Sequence, residues 1–436
     1  MILDKNKECI NRHELEEIQS DRLKKIVKYV YNNVKFYREK FDGEGIDIDR
    51  IKGIEDLAKL PFTSKEDLRD NYPYKLFAVP MEKISRIHAS SGTTGKPVVV
   101  GYTNSDLDLW KEVVARSLSA YGITKEDIIH VSYGYGLFTG GLGLNNGGEQ
   151  LGATIIPVSS GNTKKQIQIL EDFGSTAIAC TPSYALHIAD IIEKEDIDRS
   201  KLKLKVGIFG AEPWTEAMRK QLKEKLNIKP YDIYGLSEII GPGVSFECEE
   251  LDGLHINEDY FLPEIIDPVT LEVLEEGKSG ELVITTITKE GIPLIRYRTR
   301  DITKLNYKKC KCGRTLVRME KCLARSDDMI IIRGVNIYPT QVESVLLESR
   351  NIEPHYLLVV DRVNNLDTLE ILVEGKEELH MHGQKKIDEV SSLLKSKIQS
   401  VLGVSVKLNI VLPNTLERSS GKIKRVIDNR KICNLE

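Results

Sequence analysis

The chain has 436 residues, 41% hydrophobic and 29% charged, with 62 basic against 66 acidic side chains and a formal charge of −4. That length exceeds what one hydrophobic core usually serves, so at least two ordinary globular domains are expected. The near balance of mixed charge argues against a nucleic acid or an acidic membrane surface as partner, and no apolar run approaches the roughly 20 residues of a bilayer span.

The charged opening, MILDKNKECINRHELEE, lacks the apolar core of a secretory signal, so a cytoplasmic protein is expected. Seven cysteines in so long a chain fit free thiols or metal ligands better than a disulfide scaffold. Residues 14–41 predict one amphipathic helix, with Leu23, Ile26, Val27, Val30 and Val34 along a core-facing stripe.

From about 84 to 240, short apolar strands at 127–131, 153–157, 177–180 and 206–209 alternate with helical stretches at 164–173, 183–195 and 216–226. That alternation predicts an α/β fold with a mainly parallel sheet. Glycine-punctuated strands over 245–325 predict an antiparallel or barrel-like β-rich subdomain. After Ser326 come a strand at 329–332, a helix at 340–348 and strands at 356–361 and 369–374. A long helix over 377–401 and a strand at 404–412 complete a small α+β domain. The expected boundaries are 1–326 for a large N-terminal domain and 327–436 for the C-terminal one.

The sharpest local string is Ser90-Ser91-Gly92-Thr93-Thr94-Gly95-Lys96-Pro97. Small residues let backbone approach a ligand, while hydroxyls, amides and an ammonium supply donors for phosphate oxygens. It is not a Walker loop: the glycines stand too close, Pro97 replaces the hydroxyl residue, and a strand-like run follows. A polar hairpin turn is the plainer alternative. Further along stand Gly210-Ala211-Glu212-Pro213, Tyr234-Gly235-Leu236-Ser237-Glu238 and Tyr297-Arg298-Thr299-Arg300-Asp301. Arg325-Ser326-Asp327-Asp328 and Ser419-Ser420-Gly421-Lys422-Ile423-Lys424-Arg425 follow. Taken singly, these also read as turns, as an ion pair of Arg298 or Arg300 with Asp301, and as a solvated basic patch.

In this order, over nearly the whole chain, the strings resemble those of the adenylate-forming enzymes: acyl-CoA synthetases, luciferases and peptide-synthetase adenylation domains. The resemblance is closest to phenylacetate–CoA ligases. It is carried by the segment from His88 to Pro97, the glycine-rich Tyr133–Gly143 and the Tyr234–Glu238 motif. It implies an ATP-dependent acid–CoA ligase that activates an arylacetic acid as an acyl-adenylate, with a mobile C-terminal lid. ATP and AMP contacts are then implied for residues 90–96, Gly210, Ala211, Glu212, Pro213, Asp232, Tyr234 (along adenine), Gly235, Ser237 (at the α-phosphate), Asp301 (on ribose) and Arg325. Glu238 becomes the Mg²⁺ ligand, Lys422 the adenylation lysine and Asp327 the hinge. Arg300 stands where that family has glycine, and Ser419 where it has proline. A homodimer is also implied.

The 133–143 stretch lacks the final spacing of a dinucleotide fingerprint and an acidic residue on the next strand. It reads instead as an acyl-pocket wall in which Tyr135, Phe138, Gly140 and Gly141 face an aromatic acid, with plain core packing as the alternative. Cys310-Lys311-Cys312-Gly313 resembles a metal knuckle, and Cys248 and His255 can complete a closed structural Zn²⁺ site, with free cysteines as the alternative. Other readings left open are a different aryl acid, an acceptor other than CoA as in synthetases that transfer AMP to a deazaflavin coenzyme, and a non-catalytic nucleotide- or acyl-binding protein.

Overall fold

Helices α1 (Arg12–Asn33) and α2 (Lys35–Gly43) stand where one helix was expected. Val34 between them is extended, at φ −120° and ψ 109°. Arg38 explains the break: its guanidinium donates to the carbonyls of Tyr31 (3.0 Å) and Asn32 (2.6 Å), satisfying the end of α1 while α2 turns away. The predicted stripe is buried all the same.

The computed structural model describes residues 1–90, 97–322, 324–326, 330–332, 335–363, 366–417 and 425–430. They fall into two compact units, one of 1–211 with 221–321 and the other of 212–220 with 322–436. Among the described residues, no helix is long and apolar enough to cross a membrane.

In the first unit, β1 (Arg86–Ser90) and β2 (Val98–Tyr102) pair antiparallel, with Ser90 opposite Val98. Helix α3 (Asn104–Ala120) follows, started by a capping box between Thr103 and Asp106. The main sheet then alternates strands and helices as the sequence pattern requires. Its strands β3 (Ile128–Val131), β4 (Thr154–Ile156), β5 (Ala177–Cys180), β6 (Val206–Phe209) and β7 (Lys229–Leu236) are parallel in the order β4-β3-β5-β6-β7. Beyond β7 the sheet turns antiparallel through β8 (Gly241–Phe246) and β9 (Leu254–Ile256). A second, antiparallel sheet holds β10 (Phe261–Ile266), β11 (Gly280–Thr286) and β12 (Tyr297–Thr303), the β-rich segment foreseen above.

Helix α4 (Thr139–Leu151), between β3 and β4, owes its glycines to close packing. A Cβ on Gly143 would lie 2.5 Å from the Trp110 ring, and one on Gly147 would lie 2.3 Å from Val114. Both neighbours belong to α3, so two helix backbones meet at a distance that only glycine permits.

In the second unit, β13 (Ile352–Val363) and β14 (Leu366–Gly375) form a long antiparallel pair. Helix α5 (Gln384–Leu402) is followed by β15 (Lys407–Val411), parallel to β14, and β16 (Val426–Asp428), parallel to β13. Val390, Leu394, Ile398 and Leu402 recur every fourth residue on α5 and join Leu358, Ile371 and Val373 in the core. The helix expected over 377–401 is two, Glu377–Met381 and α5, because the chain passes through Gly383 at φ +81°.

Candidate active site

Strand β7 ends in Tyr234-Gly235-Leu236, and a turn through Ser237 and Glu238 leads to β8. The backbone folds onto itself so closely that a Cβ on Gly235 would stand 1.8 Å from the Gly241 carbonyl oxygen. Only glycine fits there. Ser237 Oγ lies 3.0 Å from Thr139 Oγ1 at the start of α4. Glu238 is 5% exposed, and its Oε1 is 3.6 Å from the Lys65 ammonium. One buried carboxylate of this kind suits Mg²⁺, which keeps much of its water shell and takes few protein ligands.

Tyr234 reaches the β-rich sheet, where its hydroxyl donates to Asp301 Oδ2 at 2.6 Å. Next to Asp301, Arg300 is left-handed at φ +69°, a conformation that glycine adopts more readily than an L-residue. Its guanidinium lies 3.6 Å from Glu281, a fully buried carboxylate that Arg298 holds with both forks, at 3.0 and 2.8 Å. Both arginines thus engage Glu281, and the Asp301 carboxylate takes the tyrosine hydroxyl.

Gly210, at the end of β6, packs against β7: a Cβ there would lie 2.3 Å from the Ile233 carbonyl oxygen. Ala211 follows at φ +68°. Asp232 pairs with Phe209 across β6 and β7, and its carbonyl accepts the Tyr121 hydroxyl at 2.8 Å. Ser90 Oγ is buried with no hydrogen-bond partner among the described residues. Within the first unit, the fold therefore gathers Gly210, Asp232, Tyr234, Gly235, Ser237, Glu238 and Asp301 around the carboxyl end of β7, where open α/β sheets bind ligands. Glu212, Pro213 and Arg325 belong to the second unit. Ser91, Gly92, Thr93, Thr94, Gly95, Lys96, Asp327 and Lys422 lie outside the described residues.

The expected acyl-pocket residues form one local group. Tyr135 is half-buried, its hydroxyl donating to Asn145 Oδ1 at 3.3 Å, and burial pushes its pKa up to about 12. Phe138 is 42% exposed, and its ring covers Gly140, where a Cβ would be 2.5 Å away. Gly141 lets α4 approach the Gly134 carbonyl oxygen, which would stand 2.8 Å from a Cβ. His88 is buried beside them, its Nδ1 3.0 Å from the Leu137 oxygen, and burial lowers its pKa.

Two lysines carried no sequence motif. Lys65 faces Glu238. Lys289 is 1% exposed beside the same turn, and burial pulls its pKa down to about 8. Nothing in the neighbouring sequence separates either from a solvated lysine.

Cys248, His255, Cys310 and Cys312 converge, their ligand atoms all within 4.8 Å of one another. Cys248 Sγ is 3.8 Å from Cys310 Sγ, and Cys312 Sγ is 3.5 Å from His255 Nε2. A tetrahedral zinc with Zn–S near 2.3 Å and Zn–N near 2.0 Å would set such pairs about 3.8 and 3.5 Å apart, so the cluster fits the ion. The site forms because β9 pairs with the short strand Arg318–Met319, placing His255 opposite Arg318. Gly313, at φ +96°, turns the knuckle.

The AMP-binding enzyme family profile matches residues 11–288, and that of the AMP-binding enzyme C-terminal domain matches 334–430. The chain is 51% identical to a phenylacetate-coenzyme A ligase of Thermus thermophilus, over 99% of this chain and 100% of that one. It is likewise 51% identical to the phenylacetate-coenzyme A ligase of Aromatoleum evansii, over 97% and 96%. Among solved structures, a 2-hydroxyisobutyryl-CoA ligase in the postadenylation state superposes with TM-score 0.91 at 28% identity, covering 98% of this chain and 92% of that one.

Proposed function

Because the chain belongs to the phenylacetate–CoA ligases of the AMP-binding enzyme family, we propose that its preferred acid is an arylacetic acid, phenylacetate first. It is an AMP-forming acid–CoA ligase that uses ATP and CoA and works through an acyl-adenylate. The observation supporting the nucleotide site most directly is the Tyr234–Asp301 hydrogen bond, which draws an adenine-side and a ribose-side residue together.

In the first half-reaction a carboxylate oxygen attacks the α-phosphorus, forming the acyl–phosphate bond as the bond to pyrophosphate breaks. The residues act by holding reactants in line and balancing charge rather than by covalent help. Tyr234 lies along adenine, Asp301 takes the ribose hydroxyls, Ser237 donates to the α-phosphate, and residues 90–96 hold the outer phosphates. Glu238 would hold Mg²⁺, which when bound neutralises phosphate charge. Lys422 serves adenylation, Asp327 is the pivot of a C-terminal domain at 327–436, and Gly210, Ala211, Glu212, Pro213, Asp232, Gly235 and Arg325 complete the nucleotide site. In the second half-reaction the CoA sulfur attacks the carbonyl carbon, and AMP leaves.

Tyr135 and Phe138 offer flat apolar faces to an aromatic ring, and Gly140 and Gly141 keep the wall shallow. Cys248, His255, Cys310 and Cys312 hold a structural Zn²⁺, since four protein ligands leave no open position. A cytoplasmic homodimer completes the proposal. The test is pyrophosphate release across phenylacetate, indoleacetate, benzoate and alkyl acids, with and without CoA. Phenylacetate should show the highest kcat/KM; an alkyl acid that outperforms every aryl acid would reject the substrate assignment.

A further inference from the structure

Lys289 is a buried cation to which the reaction above gives no task. Its Nζ donates to the backbone carbonyls of Glu238 (3.1 Å) and Ile239 (2.7 Å), 5.0 Å from the Tyr102 ring centroid. The single proton of the Tyr102 hydroxyl is in turn shared between the carbonyls of Ser237 and Ile240, both at 3.2 Å. The four carbonyls of the 237–240 turn are thus all bound by these two buried side chains.

The lysine's own loop is fixed from α3. Asp106 accepts from the backbone N–H groups of Glu290 (2.7 Å) and Gly291 (2.8 Å), and Thr103 Oγ1 donates to the Glu290 carboxylate at 2.9 Å. The residues that cap α3 therefore also anchor the loop carrying Lys289. Among the described residues, no carboxylate pairs with the Lys289 ammonium. A buried, unpaired ammonium is costly, and an apolar side chain of similar length would fill the space without that cost. What the ammonium adds is two charge-assisted bonds to one turn, the turn that carries Glu238.

We propose that Lys289 is a positioning residue for metal binding: with Tyr102 it braces the 237–240 turn and so aims the Glu238 carboxylate at the cation that accompanies ATP. The proposal rests on Glu238 being the Mg²⁺ ligand. The ammonium donates to the turn's carbonyls rather than to the Glu238 carboxylate, so the carboxylate oxygens stay open to the metal. Lys65, at 3.6 Å and partly exposed, is the group that Mg²⁺ would displace there.

The experiment measures the Mg²⁺ concentration that gives half of the Mg²⁺-dependent rise in melting temperature with ATP bound and no acid present, and the same midpoint for pyrophosphate release, alongside the KM for the acid. Lys289→Met should raise the Mg²⁺ requirement about tenfold, the equivalent of one lost charge-assisted bond, with little change in the KM for the acid. Tyr102→Phe, which removes only the other brace's hydroxyl, should shift it the same way by about threefold and decides the matter if the lysine variant does not fold. A folded Lys289→Met enzyme with an unchanged Mg²⁺ requirement overturns the proposal, as does an unchanged requirement in Tyr102→Phe. Glu238→Gln is the separate control: if it leaves the Mg²⁺ requirement unmoved, the assignment of Glu238 fails whatever Lys289 does.

Discussion

The Tyr234 hydroxyl and Asp301 Oδ2, 67 positions apart in the chain, meet at 2.6 Å and join the main sheet to the β-rich sheet. Removing that hydroxyl takes away one of the contacts that orient Asp301, the residue proposed to hold the ribose. Tyr234→Phe should raise the KM for ATP about fivefold, corresponding to roughly 1 kcal/mol for one hydrogen bond, and leave the KM for the acid nearly unchanged. Initial rates of pyrophosphate release measure both; an ATP KM equal to that of the parent would argue against the shared nucleotide site.

Arg300 occupies a left-handed backbone position at φ +69°, for which an L-residue is penalised by about 1–2 kcal/mol. Arg300→Gly and Arg300→Ala both lose the 3.6 Å contact with Glu281, but only glycine sheds the strain. The glycine variant should be about 1 kcal/mol more stable than the alanine variant in urea unfolding. Equal stabilities would show that this turn relaxes out of the left-handed region.

Gly147→Ala tests whether the glycines of α4 serve packing. In an open helix the change would stabilise by about 0.5–1 kcal/mol. Here the new methyl meets Val114 at 2.3 Å, so a net destabilisation of about 1–3 kcal/mol is expected. A rise in urea midpoint would mean that α3 and α4 have room to part.

Purified protein should carry about one zinc per chain, as a closed four-ligand site demands. Cys248→Ser should lose that zinc and melt several degrees lower, while folded enzyme at low temperature keeps the parent's KM for ATP. Elemental analysis with thermal unfolding checks both points, and metal-free parent protein of full stability would exclude the zinc.

The sequence marked the candidate site where side chains of distinct chemistry are concentrated in short strings. Tyr234–Glu238 and Tyr297–Asp301 were recognisable because hydroxyls, carboxylates and glycine stand at fixed spacing. That Tyr234 and Asp301 touch was not readable, since it depends on how two sheets meet. The strands at 177–180 and 206–209 were found to the residue because buried parallel strands are short apolar runs. The break at Val34 was hidden because the apolar period runs through it unbroken, and the cause, Arg38 turning back on α1, lies in side-chain hydrogen bonds. Lys65 and Lys289 gave no signal at all, since burial and partners, not neighbours in sequence, set them apart.

The cysteine knuckle is also a fastening for the front of the chain. Arg314, 1% exposed, donates to Glu8 at 2.7 Å and to Cys312 Sγ at 3.6 Å, while Thr315 bonds the carbonyls of Glu8 (3.1 Å) and Ile10 (2.6 Å). Glu8 and Arg314 are 306 positions apart. On the ribosome, the first segment must therefore wait for some three hundred further residues before its partners emerge, so this seam closes only after most of the chain has been made.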